Sequence, residues 1–216
     1  MRHVIPLTVY DDFFPNPDSV RTYAQALDFP VADGRWPGVR TKPLHLLDRK
    51  LFEYVNNRML RIFFPDESQN IVYSARTVFQ KIQDIDSIGW VHHDCPDIVT
   101  GIVYLTPNAP LNTGTSLYRL KADLTHYPVE GMEIKERFYR DKSNAAEEAI
   151  GVIANNAMFE ETVNISNIYN RLVLFDSSEY HAAQKFTIED QTCERLTLVT
   201  FFYELPSNLP YLRLRC

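Results

Sequence analysis

Cysteine is scarce in this chain: there are three in 216 residues, Cys95, Cys193 and Cys216, with no repeated short spacing. That excludes a zinc knuckle and a thioredoxin-type pair, and a reduced, intracellular chain is expected. A chain of this length can bury roughly 70% of the surface its unfolded form exposes, so a disulfide scaffold is unnecessary. Positive charge is not in surplus either, because 22 Lys and Arg stand against 28 Asp and Glu, for a formal net charge of −6. A broad phosphate-binding surface needs clustered cations, so nucleic acid is disfavoured as a partner. No apolar run is long enough to cross a membrane, and the first residues lack the apolar stretch and small-residue cleavage site of a secretory signal. The expectation is a soluble, cytoplasmic protein with no membrane partner. No repeat period and no low-complexity tract is visible. What remains is an ordinary globular composition, 45% hydrophobic and 23% charged, which excludes a wholly disordered or collagen-like chain. Aromatics are led by Phe and Tyr, which favour strands and aromatic-walled pockets.

After a short strand over 7–10, Asn16-Pro17-Asp18 reads as a helix start, since Asn can cap, Pro suits the first turn and Asp favours the positive end of the dipole. The segment 46–64 places Leu47, Leu51, Val55, Met59 and Phe63 at steps of four with polar residues between, as an amphipathic helix would. From Ile71 onward the pattern is β-rich, with strands expected over 71–82, 98–105, 115–121, 171–175, 180–187 and 195–204. Residues 122–170 lack sustained strand alternation and carry a charged stretch at 130–142 and a helix near 145–155. They are read as an insertion into a β core, covering its mouth or an oligomer contact, so that deleting it would alter substrate choice more than metal binding. The resulting architecture is mainly β with flanking helices: a single domain with helical support over about 1–70, a core over about 71–121 and 171–205, and the insertion between. Oligomeric state is open, a homodimer being one option.

In an extended segment, residues two apart share a side, so His92 and Asp94 converge while His93 faces away. An imidazole and a carboxylate can then meet one cation, and His181, in a later strand-like run, offers a third ligand. Two histidines and a carboxylate on one face of a metal leave the opposite face open, as in non-heme Fe(II) oxygenases. Further on, alternation places Arg195, Thr197, Val199, Phe201 and Tyr203 on one strand face. A guanidinium at the end of an aromatic-walled cavity binds a carboxylate bidentately, and the Thr197 hydroxyl adds a further hydrogen bond. Together these make a site for a dicarboxylate anchored at its far end and chelating a metal at its near end.

The ordered set His92-x-Asp94, Thr100-Gly101-Ile102-Val103-Tyr104-Leu105, Thr113-Gly114-Thr115, Leu172-Val173-Leu174-Phe175 leading to His181, and Arg195-x-Thr197 resembles the Fe(II)- and 2-oxoglutarate-dependent dioxygenases. It is most similar to their prolyl-hydroxylase-like branch. Tyr10-Asp11-Asp12-Phe13-Phe14 and Gly38-Val39-Arg40-Thr41 look like a subgroup seen in phages and bacteria. The resemblance implies a double-stranded β-helix (jelly roll) whose N-terminal helices pack on one sheet, and iron held by His92, Asp94 and His181. It further implies that Arg195 binds the distal carboxylate of 2-oxoglutarate, with Thr197 following it and the Tyr104 hydroxyl reaching the same carboxylate. The tyrosine expected shortly before the metal motif has no clear counterpart, and Gln80 or Gln83 can substitute. The implied reaction uses O₂ and 2-oxoglutarate to hydroxylate a peptide, an amino acid or a small metabolite, releasing succinate and CO₂, with ascorbate as supporting reductant.

Blander readings stand beside these. His92 and Asp94 can be a surface turn, His93 can replace His92 on a bulged strand, and His181 can be a core-edge histidine. Arg195 can pair with Glu194 and Tyr104 can be plain core. His3, His45 and His126 read as ordinary surface or loop residues, and Cys95 as a small loop residue beside the metal motif. Trp90, Tyr118 and Arg119 can line a substrate mouth. At the level of function the alternatives are a β-sandwich that binds a ligand without turning it over, and a cupin-like isomerase or zinc hydrolase.

Overall fold

The structure is a computed structural model that describes residues 7–30, 36–63, 71–82, 89–124, 145–184 and 194–205. His3, Gln83, His126, Cys193, Cys216, the charged stretch 130–142 and the end of the 180–187 strand lie outside the described residues. In chain order the elements are β1 (Thr8–Tyr10), α1 (Pro17–Gln25), β2 (Val39–Arg40), α2 (Leu44–Leu47), α3 (Arg49–Phe63), β3 (Ser74–Ile82), β4 (Val99–Tyr104) and β5 (Thr115–Leu120). There follow α4 (Ala145–Asn156), β6 (Phe159–Ile165), β7 (Leu172–Asp176), β8 (Tyr180–Ala183) and β9 (Arg195–Glu204).

The strands form two antiparallel sheets, one of six in the order β1-β7-β4-β9-β3-β2 and one of three in the order β6-β5-β8. An isolated bridge between His92 and His181 adds the segment around residues 89–92 to the free side of β8 as a reduced fourth strand. The six-stranded sheet facing the smaller one makes the expected jelly roll. Strand parity divides the core cleanly. On β9, Leu196, Leu198 and Phe202 join Phe79, Val103 and Leu174 in a cluster that also holds Phe13, Phe14, Val55, Met59 and Leu60 from the N-terminal segments. The alternate positions Val78, Ile102, Val173, Phe175 and Val199 face the small sheet and meet Leu117 and Ile165. The N-terminal helices α1–α3 therefore cover the outer face of the large sheet, and the inner face is left for a site.

Asn16 Oδ1 accepts from Ser19 N at 3.2 Å and Pro17 opens α1, as its residue types dictate. The helix expected over 46–64 is split instead. Asp48 caps α3 by accepting from Leu51 N at 2.9 Å, and Leu47 belongs to α2, where it is exposed. Steps of four overshoot the helical repeat by about 40° each, so a five-residue stripe drifts off the buried face. Among the described side chains of α3, the buried hydrophobics are Val55, Met59 and Leu60. Burying each contributes about 1.5–3 kcal/mol. Asn56 is buried with them, accepting from the Thr77 hydroxyl at 3.0 Å, and Thr77 in turn meets Thr200 at 3.0 Å, which ties the helix to β3 and β9.

The segment read as an insertion ends in a core strand. β6 pairs with β5 from Thr115↔Ile165 to Leu120↔Phe159, so the interruption runs only from the end of β5 to the start of β6. Its sequence concealed this because β6 is an edge strand with only Phe159 and Ile165 buried, six positions apart, and solvent-facing residues between them.

Candidate metal centre

His92 and His181 are brought together by their own backbones. His92 N donates to His181 O at 3.0 Å and His181 N donates to His92 O at 2.7 Å, so the two histidines sit opposite one another on neighbouring strands. Asp94, two positions on, is held by Asp94 N donating to Ser177 O at 2.8 Å. The side chains converge as strand parity requires: Asp94 Oδ1 lies 3.5 Å from His92 Nε2 and Asp94 Oδ2 lies 3.3 Å from His181 Nε2. All three donor atoms lie within 4.8 Å of one another, and together they can hold a metal ion. Neighbouring ligands on an ion with bonds of about 2.1 Å are about 3 Å apart, so the spacing fits.

The electrostatics point the same way. His92 Nδ1 lies 2.8 Å from Trp90 O and His181 Nδ1 lies 3.0 Å from Glu179 O. A carbonyl oxygen only accepts, so each Nδ1 carries the hydrogen and each Nε2 presents a lone pair. Two lone pairs and a carboxylate then face one another, a set that a cation satisfies. Burial alone would push the Asp94 carboxyl up; the charge and hydrogen bonds of the two rings in their imidazolium form outweigh it and hold the carboxyl well below the usual carboxylate range, and an ion bound by the neutral rings would supply that positive charge in their place. The Thr100 hydroxyl donates to Asp94 Oδ2 at 2.8 Å and meets Ser177 Oγ at 2.9 Å, orienting the carboxylate. His93 faces away from this cluster, its ring against Tyr180.

Arg195 and Thr197 lie on the wall of the same cavity, of about 70 Å³. Arg195 is 4% exposed and does not pair with Glu194, which instead pairs with Lys81 at 3.4 Å. Its Nε donates to Thr113 O at 3.1 Å, and its Nη2 donates to Gly114 O at 3.2 Å and Thr115 Oγ1 at 3.4 Å. Gly114 is required there, because a Cβ would stand 2.0 Å from Ile165 O. Thr197 Oγ1 is buried in the cavity wall with no hydrogen-bond partner among the described residues. Tyr104 is fully buried behind the guanidinium, which lies over its ring at 5.4 Å, and its hydroxyl donates to Thr115 Oγ1 at 2.9 Å. Thr115 Oγ1 thus accepts two hydrogen bonds, which leaves its own hydrogen for a group in the cavity.

Gln80 pairs with Thr197 in the β3–β9 ladder and also lines the cavity. Its amide is already engaged, accepting from Arg40 Nε at 3.3 Å and Nη2 at 3.2 Å and donating to Pro37 O at 2.7 Å. Arg40 lies 4.2 Å from the Trp36 ring, and both line the mouth; sequence reading missed them as site residues. Trp90 is on the wall as expected, whereas Arg119 pairs with Glu160 at 2.7 Å on β5–β6 and does not line the cavity. Cys95 is exposed and in no disulfide among the described residues, and His45 packs edge-on against Phe52.

The fold is similar to that of HygX from Streptomyces hygroscopicus in a structure with nickel, 2-oxoglutarate and hygromycin B bound, at 12% identity and a TM-score of 0.59, over 94% of this chain and 83% of that one. A prolyl hydroxylase from Trichoplax adhaerens, in complex with a hypoxia inducible factor oxygen degradation domain peptide fragment, aligns at 13% identity and a TM-score of 0.51, over 91% of this chain and 82% of that one. The non-heme α-ketoglutarate-dependent epimerase SnoN from nogalamycin biosynthesis aligns at 9% identity and a TM-score of 0.50, over 97% and 84%. At such identities the likeness is one of fold. No curated protein matches the chain in sequence. The profile of DUF6445, a family of unknown function, matches residues 2–202.

Proposed function

The chain belongs to DUF6445, and from the geometry of its inner sheet face we propose that it is an Fe(II)- and 2-oxoglutarate-dependent oxygenase that hydroxylates a peptide, an amino acid or a small metabolite. The single observation that carries this reading is the pair of Nε2 lone pairs and the Asp94 carboxylate converging in a cavity that also holds Arg195 and the unpartnered Thr197 hydroxyl. A cation site alone fits many proteins. One facing a buried guanidinium, itself bonded only to neutral acceptors among the described residues, fits a metal-chelating diacid.

His92, Asp94 and His181 would hold the ion from one face, leaving the other for ligands. Arg195 binds the far carboxylate of 2-oxoglutarate, Thr197 and Thr115 donate to it, and Tyr104 keeps Thr115 in place. Bound iron with 2-oxoglutarate and O₂ supplies the oxygen-transfer chemistry, in which one oxygen atom enters a substrate C–H bond and the other enters the succinate left when CO₂ departs. Ile102, Val199 and Phe201 keep water from the space between the two ends.

The test measures succinate formed with Fe(II), 2-oxoglutarate and ascorbate by the native chain and by Asp94→Ala. The native chain is expected to release succinate and the variant to remain at background. Metal binding by the native chain with no succinate from it would instead identify a ligand-recognising β-sandwich.

A further inference from the structure

The segment that presents His92 bridges to β8 on one side. Strand geometry sends the N–H and C=O of adjacent residues to opposite sides, so those of Val91 point away from β8. Val91 is fully buried, and water cannot meet them. The partners come from the C-terminal end of α4. Val91 N donates to Asn156 Oδ1 at 3.0 Å, Asn155 Nδ2 donates to Val91 O at 3.1 Å, and Asn156 Nδ2 donates to Gly89 O at 3.1 Å. Asn155 Nδ2 also donates to Asn156 Oδ1 at 2.9 Å, which joins the two carboxamides. Since Val91 N–H can only donate, the orientation of the Asn156 amide is fixed by its partner.

We propose that Asn155 and Asn156 are positioning residues for the metal site, two side-chain amides standing where a neighbouring strand would be and holding the backbone that aims His92. The proposal rests on the reading of His92 as a metal ligand. Trp90 O, which accepts from His92 Nδ1, lies between the two backbone groups the amides grip on Gly89 and Val91, so the clamp sets both the strand and the tautomer of the imidazole. Removing it leaves buried backbone groups unpaired, and the segment relieves that by turning toward water, which carries His92 away from Asp94 and His181. The interruption between β5 and β6 therefore acts on metal affinity and not only on the mouth of the cavity.

Mn(II) binding to the full chain, followed by electron paramagnetic resonance, reads this directly. Loss of a partner one step removed from a metal ligand typically weakens metal binding by about 10–100-fold. Asn156→Ala is expected to raise the Mn(II) Kd at least about tenfold and to speed amide exchange at Val91. Asn156→Asp keeps the acceptor for Val91 N–H and is expected to restore protection of that amide; it also serves should the alanine variant not fold, with a smaller rise in Kd from loss of the donor to Gly89 O. Met59→Ala, in the opposite core, controls for general loosening and is expected to lower Tm with the Kd unchanged. Asn156→Ala binding Mn(II) as tightly as the native chain, or Met59→Ala weakening it equally, overturns the clamp. Absence of Mn(II) binding by the native chain overturns the oxygenase reading itself, a separate outcome.

Discussion

Replacing Thr197 by valine exchanges a hydroxyl for a methyl group of nearly the same shape in a side chain that is 1% exposed and whose Oγ1 has no hydrogen-bond partner among the described residues. Leaving a buried hydroxyl unpaired costs about 1–3 kcal/mol. Without ligand, Thr197→Val therefore removes a liability, and a gain of about 1 kcal/mol corresponds to a Tm about 2–4 °C higher for a chain of this size. With 2-oxoglutarate the sign reverses. A hydrogen bond to a charged acceptor contributes about 1.5–3 kcal/mol, so the variant loses at least about tenfold in affinity for the diacid. The assay is thermal unfolding with and without 2-oxoglutarate in the presence of Mn(II), with the Kd taken from titration of the unfolding shift. A hydroxyl that served only the fold would give the opposite pattern. A lower Tm for Thr197→Val without ligand, or a Kd equal to that of the native chain, refutes the reasoning.

Arg195→Lys keeps the charge but cannot reach the carbonyls of Thr113 and Gly114 and Thr115 Oγ1 together, so the KM for 2-oxoglutarate in the succinate assay is expected to rise by about 10-fold or more. Gly114→Ala sets a Cβ 2.0 Å from Ile165 O, a backbone atom that cannot yield, and should lower stability by about 2 kcal/mol or more in chemical denaturation. Asp11 accepts from Arg171 at 2.6 Å, and that hydrogen bond, against a smaller opposing effect of burial, holds its carboxyl below the ordinary value. A depressed pKa contributes stability above the unfolded value of about 3.9 and loses it as pH falls through the folded one. Asp11→Asn should accordingly destabilise the chain at neutral pH by less than about 1 kcal/mol, because Asp11 is half exposed, and the loss should shrink as pH falls below the unfolded value when unfolding is followed across pH.

The long strands were legible because their neighbours impose strict parity. β9 alternates between Leu196, Leu198 and Phe202 under the helices and Arg195, Thr197 and Val199 over the cavity, and that alternation can be read directly from residue type. The same parity brought His92 and Asp94 together and turned His93 aside. What escaped lacked such periodicity. β6 lies at an edge with two buried residues, and the strand at His92 is reduced to one bridge. Gln80 was assigned to the site by position, but its amide is already engaged by Arg40 and Pro37, from a segment whose spacing in sequence gives no hint of the contact. Arg40 reaches it because Gly38, at φ +71, lets the chain turn tightly against Lys81 O, where any Cβ would stand 2.0 Å from that oxygen.

Every hydrogen bond that the Arg195 guanidinium makes among the described residues goes to a neutral oxygen. Among the described residues this cation at the wall of a narrow chamber has no carboxylate bonded to it, and an anion from the surrounding medium can serve as its counterion. Citrate, acetate or chloride carried through purification will lodge there first, so affinities measured for any diacid will vary with the choice of buffer, and the tightest values will come from large, weakly penetrating anions.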